Sequence, residues 1–517
     1  MLINPRTQLP GNFQQCWPLY SAEAAGSLDR QVIAAGTPGF DLMQRAARSA
    51  WQLIQQRWPQ VERISVLCGG GNNGGDGLLV ALLAAQAGKQ VRLWVAADPA
   101  RYKNEAAQAW QAVTEAGLKV EKGEPSASVL AADELLVDAL LGIGLQGEVR
   151  GRVLQWIKAM NGSQSCILAL DVPSGLLVDT GEVAGEAVKA DTTLSFIVLK
   201  PGLFTGEGPE QAGDVRLADL GINPEAFAEQ PLAWLQGHQD QQSSLLPLDA
   251  GGHKGTHGRL LIIGGQSGMG GSVILAAKAA LRSGVGMVKL LTAPENIIAA
   301  LVSQPEIMAS AWAEKETELQ GQLGEAFAWA DALLVGPGLG ASAYSERLWQ
   351  ACWDFNGPVL VDADALNLWA QGLHPSTAER REWVVTPHPG EAARLLGWPV
   401  HDIQRNRLQA VDLIALQTGS VSVLKGAGSC CAPPNNEAGE AAQPLICPFG
   451  NPGMGVAGMG DLLSGCIASF LAQGLQPEAA ARLGVRIHAQ AGDAAAGDTP
   501  RGLLPSDLLP YLRQGVN

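Results

Sequence analysis

The sequence predicts an α/β protein of two domains, each built on a parallel sheet. Three observations lead there. The chain has 517 residues, too many for one ordinary core. Short apolar runs of strand length alternate with helix-length segments through most of it, the pattern of strand–crossover–strand units. Several of those runs end in glycine-rich loops, and in such sheets ligands bind beyond the carboxyl ends of the strands. The pattern breaks from about Asn223 to Asp249, where Gln236-Gly-His-Gln-Asp-Gln-Gln-Ser-Ser244 is polar and aperiodic. This stretch reads as a connector and divides the chain into 1–230 and 231–517.

In the first domain, residues 30 to 58 read as helical and close at Trp58-Pro59. Strand runs follow at Arg63 to Cys68, Gln90 to Val95, Glu134 to Leu140, Cys166 to Asp171 and Thr193 to Leu199, with a helix over Leu78 to Ala87. Three loops on this edge carry chemistry. Gly69 to Gly77 offers backbone N–H donors together with the amides of Asn72 and Asn73. It has neither the lysine of a P-loop nor the spacing of a dinucleotide fingerprint. Asp138 leads into Gly142-Ile-Gly-Leu-Gln-Gly147, and Asp171-Val-Pro-Ser-Gly175 ends the next strand. One such Asp is usually a loop cap; three such loops on one edge indicate a binding site.

The second domain opens with the strand Arg259 to Ile263, the loop Gly264 to Gly271 and a helix over Ser272 to Arg282. No acidic residue follows the next strand, Met287 to Leu291, where a dinucleotide site needs one. Asp331-Ala-Leu-Leu-Val335 runs into Gly336-Pro-Gly-Leu-Gly340. Val359 to Val361 ends in Asp362 and Asp364, which could hold magnesium through water or cap the next helix; the cap is favoured. After the strand Trp383 to Val385, two prolines fix the backbone around His388, and Glu391 is a candidate to orient a metal-bound water. Ser420 to Leu424 leads to Lys425 and a glycine turn, suited to phosphates. Cys430 to Pro444 reads as a long hairpin-like loop, with Cys430 and Cys431 on the surface. Last, Asn451 to Gly460 is glycine-rich and precedes a helix-length apolar run, Leu462 to Leu471, with Asp461 at its start as a cap. Such a helix start attracts anions, phosphate above all. A carboxylate placed there suits acid–base work beside a phosphoryl group.

A net charge of −15 argues against a general nucleic-acid or anionic-membrane surface. No apolar run reaches membrane-spanning length. The eight cysteines are scattered, without a C-x-x-C pair or metal-ligand spacing, so reduced thiols and a cytoplasmic location are expected.

Gly458-Met-Gly-Asp461 followed by Leu-Leu-Ser-Gly465 resembles the anion-hole and catalytic-Asp motif of the ribokinase-like superfamily. With Lys425-Gly-Ala-Gly428 and His388-Pro-Gly-Glu391, the resemblance narrows to the ADP-dependent NAD(P)H-hydrate dehydratases. Gly71-Asn-Asn-Gly-Gly-Asp-Gly77 resembles the NAD(P)H-hydrate epimerases. The likeness spans nearly the whole chain. It implies a Rossmann-like first domain, a ribokinase-like second domain, and repair of hydrated NADH and NADPH. In the epimerase half it places potassium on Asn73, Asp138 and Ser174. It places the hydrate on Asn72, Asn73, Gly74, Gly75 and Asp76, on Gly142, Ile143, Gly144, Leu145, Gln146, Gly147 and Glu148, and on Asp171. Asp171 is the implied acid–base residue while the C6 configuration inverts. In the dehydratase half it places the hydrate on Val273, Gly338, His388 and Asp461. The adenine nucleotide falls on Lys425, Gly426, Ala427, Gly428, Ser429 and Gly460, with magnesium and ADP required.

Leaving-group chemistry supplies the implied reaction. Phosphorylating the C6 hydroxyl from ADP, with Asp461 as base, makes it a good leaving group; AMP, phosphate and NAD(P)H result. Two departures from the family stand out. Met43-Gln-Arg-Ala-Ala47 lacks a glycine common there, and Ala427 replaces a polar residue of some relatives. A homo-oligomer is expected. The rival reading is a ribokinase-like kinase of small metabolites with an N-terminal binding or scaffold domain.

Overall fold

The computed structural model describes residues 2–8, 16–130, 133–238, 245, 251–375, 382–434 and 442–516. The chain forms two compact units, Met1–Gly237 and His238–Asn517. Part of the expected connector is structured, because Ala233–Gln236 forms a strand that pairs antiparallel with Cys16–Leu19.

The first unit runs β1 (Leu2–Ile3), β2 (Cys16–Leu19), α1 (Ala22–Ala34), α2 (Gly39–Arg57), β3 (Arg63–Cys68), α3 (Asn72–Gln86), β4 (Gln90–Val95), α4 (Asn104–Glu115), β5 (Glu134–Ala139), α5 (Gly151–Asn161), β6 (Cys166–Leu170), β7 (Thr192–Phe196), α6 (Gly208–Ala212), β8 (Asp214–Ala218) and β9 (Ala233–Gln236). Its seven-stranded sheet has the order β1-β8-β7-β6-β5-β3-β4 and is parallel except for the β1–β8 pair. Strands such as β5 and β7 are buried at every position, as expected for a parallel sheet covered on both faces. Leu28, Ala47, Leu53, Leu78 and Ala109 from α1 to α4 pack on one face, and Trp156, Ile157 and Met160 of α5 on the other.

Two expectations need correction here. The helical stretch 30–58 is parts of two helices, because Gly36 takes φ +106° and Pro38 stands at the start of α2. The helix predicted from Leu78 begins six residues earlier, at Asn72. Gly74 and Gly77 therefore lie in the helix, where they permit close approach. A Cβ at Gly77 would stand 2.4 Å from the Ala139 Cβ, and one at Gly74 would stand 2.1 Å from the Gly69 carbonyl oxygen. At the departure in α2, Ala46 and Ala47 are both buried in the core.

The second unit runs β10 (Arg259–Ile263), α7 (Gly270–Arg282), β11 (Met287–Thr292), α8 (Asn296–Ser303), β12 (Met308–Ala311), α9 (Glu316–Trp329), β13 (Ala332–Val335), α10 (Ala343–Ala351), β14 (Val359–Val361), α11 (Asp364–Ala370), β15 (Trp383–Val385), α12 (Pro389–Leu396), α13 (Val400–Arg405), α14 (Arg407–Thr418), β16 (Val421–Leu424), β17 (Ser429–Ala432), β18 (Leu445–Cys447), α15 (Met459–Ala472), α16 (Pro477–Ala496) and α17 (Pro505–Gly515). Its strands lie in the order β12-β11-β10-β13-β14-β15-β16-β17-β18, parallel as far as β16 and antiparallel beyond. Helix α15 lies so close to α7 that a Cβ on Gly465 would stand 2.0 Å from the Ala276 carbonyl oxygen.

Cys430 and Cys431 are not surface-loop residues. Both are buried in β17, and the β17–β18 hairpin replaces much of the expected loop, whose residues 435–441 lie outside the described ones. Among the described residues, no helix is long and apolar enough to cross a membrane.

Both sheets reverse direction once. The first unit adds β4 on one side of β3 and β5 on the other; the second adds β11 on one side of β10 and β13 on the other. Each reversal opens a crevice beyond the strand ends.

Candidate active sites

In the first unit that crevice is a cavity of about 510 Å³. It is lined by Gly70 to Asn73 and Asp76 after β3, Leu140 to Gln146 after β5, Asp171 after β6 and Lys200 after β7. Asp29 and Met43 of α1 and α2 close it. Asp171 adopts φ +63°, a left-handed conformation rare for a residue with a side chain, which turns the chain sharply at the end of β6. Its Oδ1 accepts hydrogen bonds from the Lys200 ammonium and from the Phe196 N–H. Lys200 is 2% exposed and also donates to Ser195 Oγ at 3.0 Å and to the Phe196 carbonyl at 3.2 Å.

Beside this pair stand two more carboxyls. Burial, then repulsion from Asp171, pushes Asp29 up to about 6. Burial, then Asp171 and Asp29, holds Asp76 well above the usual carboxylate range.

Asn73, Asp138 and Ser174 are brought together on the same edge. Ser174 donates from Oγ to Asp138 Oδ1 at 2.6 Å and from its N–H to Oδ2 at 2.8 Å. Asn73 Nδ2 donates to the Leu141 carbonyl at 2.7 Å, and the Leu141 N–H donates to Ser174 Oγ at 2.8 Å. Among the described residues, Asn73 Oδ1 is buried with no hydrogen-bond partner. Burial pushes Asp138 up to about 6 against its hydrogen bonds from Ser174 and Leu140. Gly147 and Glu148 lie further along this loop and are not among the lining residues of the cavity.

In the second unit the crevice is closed by paired glycine loops. The Gly265 N–H donates to the Pro337 carbonyl and the Gln266 N–H to the Gly338 carbonyl. Gly338 has φ +58°, and a Cβ there would stand 2.7 Å from the Met269 carbonyl oxygen. Val273 is fully buried, with its methyls beneath Gly264 and Gly265, so its side chain supports the loop from behind.

One buried cluster joins β14, α12, β16 and α15. Asp362 Oδ1 accepts from Lys425 Nζ at 2.7 Å, and its Oδ2 accepts from Ser464 Oγ at 2.5 Å. Glu391 Oε2 lies 3.8 Å from Lys425 Nζ and accepts the His388 N–H at 2.7 Å, closing a capping box on α12. Burial pushes Glu391 up to about 7, while burial and then Lys425 push His388 down. The Asp362–Asp364 pair is not a helix cap: Ala363, φ +50°, holds the N-cap position of α11, with no side-chain cap. Asp364 Oδ2 instead accepts the Gly340 N–H at 2.8 Å.

Asp461 lies in the first turn of α15, two residues beyond the first, and is not its cap; Gly458, at φ +94°, holds that position with no side-chain bond. The first-turn N–H groups of such a helix are available to an anion. Gly460 is a close neighbour of Lys425, whose Nζ would stand 3.4 Å from an added Cβ. Burial, then repulsion from Asp362, pushes Asp461 up to about 6, against a hydrogen bond with Ser272.

Arg407, 1% exposed, donates from Nη2 to the carbonyls of Leu424, Lys425 and Gly428, which fixes the turn Lys425 to Ser429. Gly426 has φ +139°, and a Cβ there would stand 2.9 Å from Arg407 Nη1, so the turn requires glycine.

Sequence reasoning missed Asp29, Lys200, Ser272, Arg407 and Ser464. Lys200 is the one with a readable signal, a lysine directly after an apolar run that ends on the ligand edge.

Two open, mainly parallel sheets, each with an acid–base cluster beyond its strand ends, define a two-site α/β enzyme. Residues 260–514 match the family described as NAD(P)H-hydrate dehydratase, and residues 39–202 match the YjeF-related protein N-terminus. The chain is similar to the bifunctional NAD(P)H-hydrate repair enzyme Nnr of Coxiella burnetii, 40% identical over 506 residues that cover 96% of this chain and 99% of the relative. The enzyme of the same description from Escherichia coli strain K12 is 40% identical over 492 residues, 92% of this chain and 90% of the relative. A crystal structure of the ADP/ATP-dependent NAD(P)H-hydrate dehydratase from Bacillus subtilis, co-crystallized with ATP/Mg2+, is also similar. It is 27% identical, covers 54% of this chain and 95% of its own, and gives a TM-score of 0.46.

The chain belongs to the family of bifunctional NAD(P)H-hydrate repair enzymes. It joins an epimerase unit to a dehydratase unit.

Proposed function

We propose that the first cavity binds hydrated NADH and NADPH and inverts C6, with Asp171 moving a proton, and that the second site dehydrates the S epimer with ADP. The observation that carries the second half is Asp461 in the first turn of α15, beside Lys425 and a glycine loop. Asp461 takes the proton of the C6 hydroxyl as that oxygen attacks the terminal phosphoryl of ADP. Lys425 and the N–H groups of the Lys425–Ser429 turn and of the α15 start stabilise the phosphoryl oxygens. The ring nitrogen's lone pair then expels phosphate from C6, and loss of a proton from C5 restores the dihydropyridine. His388 and Gly338 orient the hydrate, and Val273 acts through the loop above it.

The donor set suits the ions this reading needs. The unpartnered Asn73 Oδ1, the buried Asp138 carboxylate and Ser174 Oγ are hard oxygens, fitting potassium. Asp362 is already occupied by Lys425 and Ser464, so Asp364 and Glu391 are the carboxylates left to hold magnesium through water. Magnesium held there would neutralise charge on the diphosphate.

Absorbance at the reduced-nicotinamide band tests the reading on a mixture of both epimers. Full recovery only with ADP and magnesium supports both halves. A stop after one epimer removes the epimerase half. A stable phosphorylated product with ATP brings back the kinase reading.

A further inference from the structure

The cavity of the first unit holds more carboxyl groups than one proton transfer needs. Asp171, Asp29 and Asp76 line it together, with Lys200 as their ammonium. Lys200 is committed to Asp171 and to the carbonyl and hydroxyl at the end of β7. Asp29 comes from a different element, α1, and lines the same cavity, half-buried.

Inverting C6 of the hydrate has a definite chemical requirement. C6 carries a hydroxyl and is bonded to the ring nitrogen N1, so it is a hemiaminal carbon. Its configuration is lost when the N1–C6 bond opens: the hydroxyl gives up its proton, C6–O becomes a carbonyl, the N1–C6 electron pair goes to N1, and N1 gains a proton. Rotation about C5–C6 presents the other carbonyl face. Reclosure returns both protons, so no oxidant or other reactant is needed. The step needs one group that accepts a proton and a second that donates one.

Resting on the epimerase reading above, we propose that Asp171 and Asp29 form this pair, with Asp171 receiving the hydroxyl proton and Asp29 supplying the proton to N1. Asp171, tied to the Lys200 ammonium, is the ionised member. Asp29 is the protonated member. Asp171 on the cavity wall repels its charge, Lys200 and Arg30 favour it, and Asp76 and Glu105 line the same cavity. With burial, the balance brings Asp29 to about 6, where it both gives and takes a proton near neutrality. Asp76 is held well above the usual carboxylate range by burial and by repulsion from Asp171 and Asp29.

The test uses the full chain without ADP, so that dehydration does not intervene. Starting from the pure S epimer, chromatography follows the appearance of the R epimer across pH. The wild-type rate should decline as pH rises through about 6, when the donor loses its proton. Asp29→Asn should slow interconversion by about 10²-fold or more and abolish that basic limb, with hydrate binding retained. Asp29→Glu should keep the limb at a reduced rate. A residue that only shapes the cavity would lower the rate and leave the limb in place. Asp29→Asn with the wild-type limb overturns the proposal; if that variant does not fold, loss of the limb in Asp29→Glu overturns it. A wild-type chain no faster than spontaneous interconversion overturns the epimerase reading itself, a separate outcome.

Discussion

Each unit ties a lysine to an aspartate at the end of a central strand, but they use the pair differently. In the first, Lys200 holds Asp171, the proposed acid–base residue itself. In the second, Lys425 holds Asp362, while the proposed base, Asp461, has a hydrogen bond with Ser272 and, among the described residues, no direct ammonium contact. The first arrangement fixes the reactive carboxylate by an ion pair. The second leaves burial to set its proton affinity near 6 and keeps the lysine beside Gly460, where a transferring phosphoryl needs it. One fold class therefore supports two chemistries through the placement of one ammonium relative to the reacting carboxylate.

The largest expected effects test whether the two sites are independent. Asp461→Asn should lower dehydration by about 10²–10⁴-fold and leave epimerisation intact, and Asp171→Asn should do the reverse. Single-epimer assays with and without ADP read each activity separately. A loss of both activities in either variant would break the division of labour.

The next effect separates the two lysines. Lys200→Met removes the ammonium from Asp171 with two further carboxyls nearby, and losing one partner of a buried pair costs about 3–5 kcal/mol. Lys425→Met also leaves further carboxyls, Glu391 and Asp461, beside Asp362, but should cost less, because Asp362 keeps a 2.5 Å bond from Ser464 where Asp171 keeps the Phe196 N–H at 3.2 Å. Thermal unfolding of both variants checks the order, and equal losses would contradict it.

Much of both sites was readable because the sheets declare themselves. The strand runs at Arg63, Glu134, Cys166 and Arg259 have the observed starts, and their glycine loops fall on the ligand edges. The rest was hidden for physical reasons. Ser464 meets Asp362 across 102 residues, and Asp29 reaches its cavity from a helix whose sequence shows no ligand pattern. Glycines at 74 and 77 looked like loop because close helix–sheet packing leaves the same signature as a flexible turn. Cys430 and Cys431 looked exposed beside a polar insertion, yet they are the buried core of a hairpin.

A smaller effect concerns the nucleotide turn. Arg407→Lys keeps the charge but replaces a planar guanidinium that reaches three carbonyls. The expected outcome is a rise of about tenfold in the KM for ADP, with kcat less affected. Loss of kcat alone would place Arg407 in the chemistry rather than in support of the turn.

The smallest effect addresses how Asp461 is tuned. A base must be ionised to accept a proton, so dehydration should fall as pH drops through about 6. The hydrogen bond from Ser272 favours the ionised form and opposes the burial that raises it. Ser272→Ala should therefore move the acidic limb upward, by about one pH unit at most, the equivalent of a modest charge-assisted hydrogen bond. Above the new limb the rate should return close to wild type, because the base is then ionised in both proteins. Epimerisation, whose carboxylate is held by Lys200, should show no shift. A limb that stays in place would mean that Asp461 is not the group being titrated, and the contrast between a burial-tuned base and a lysine-held one would fail at its second half.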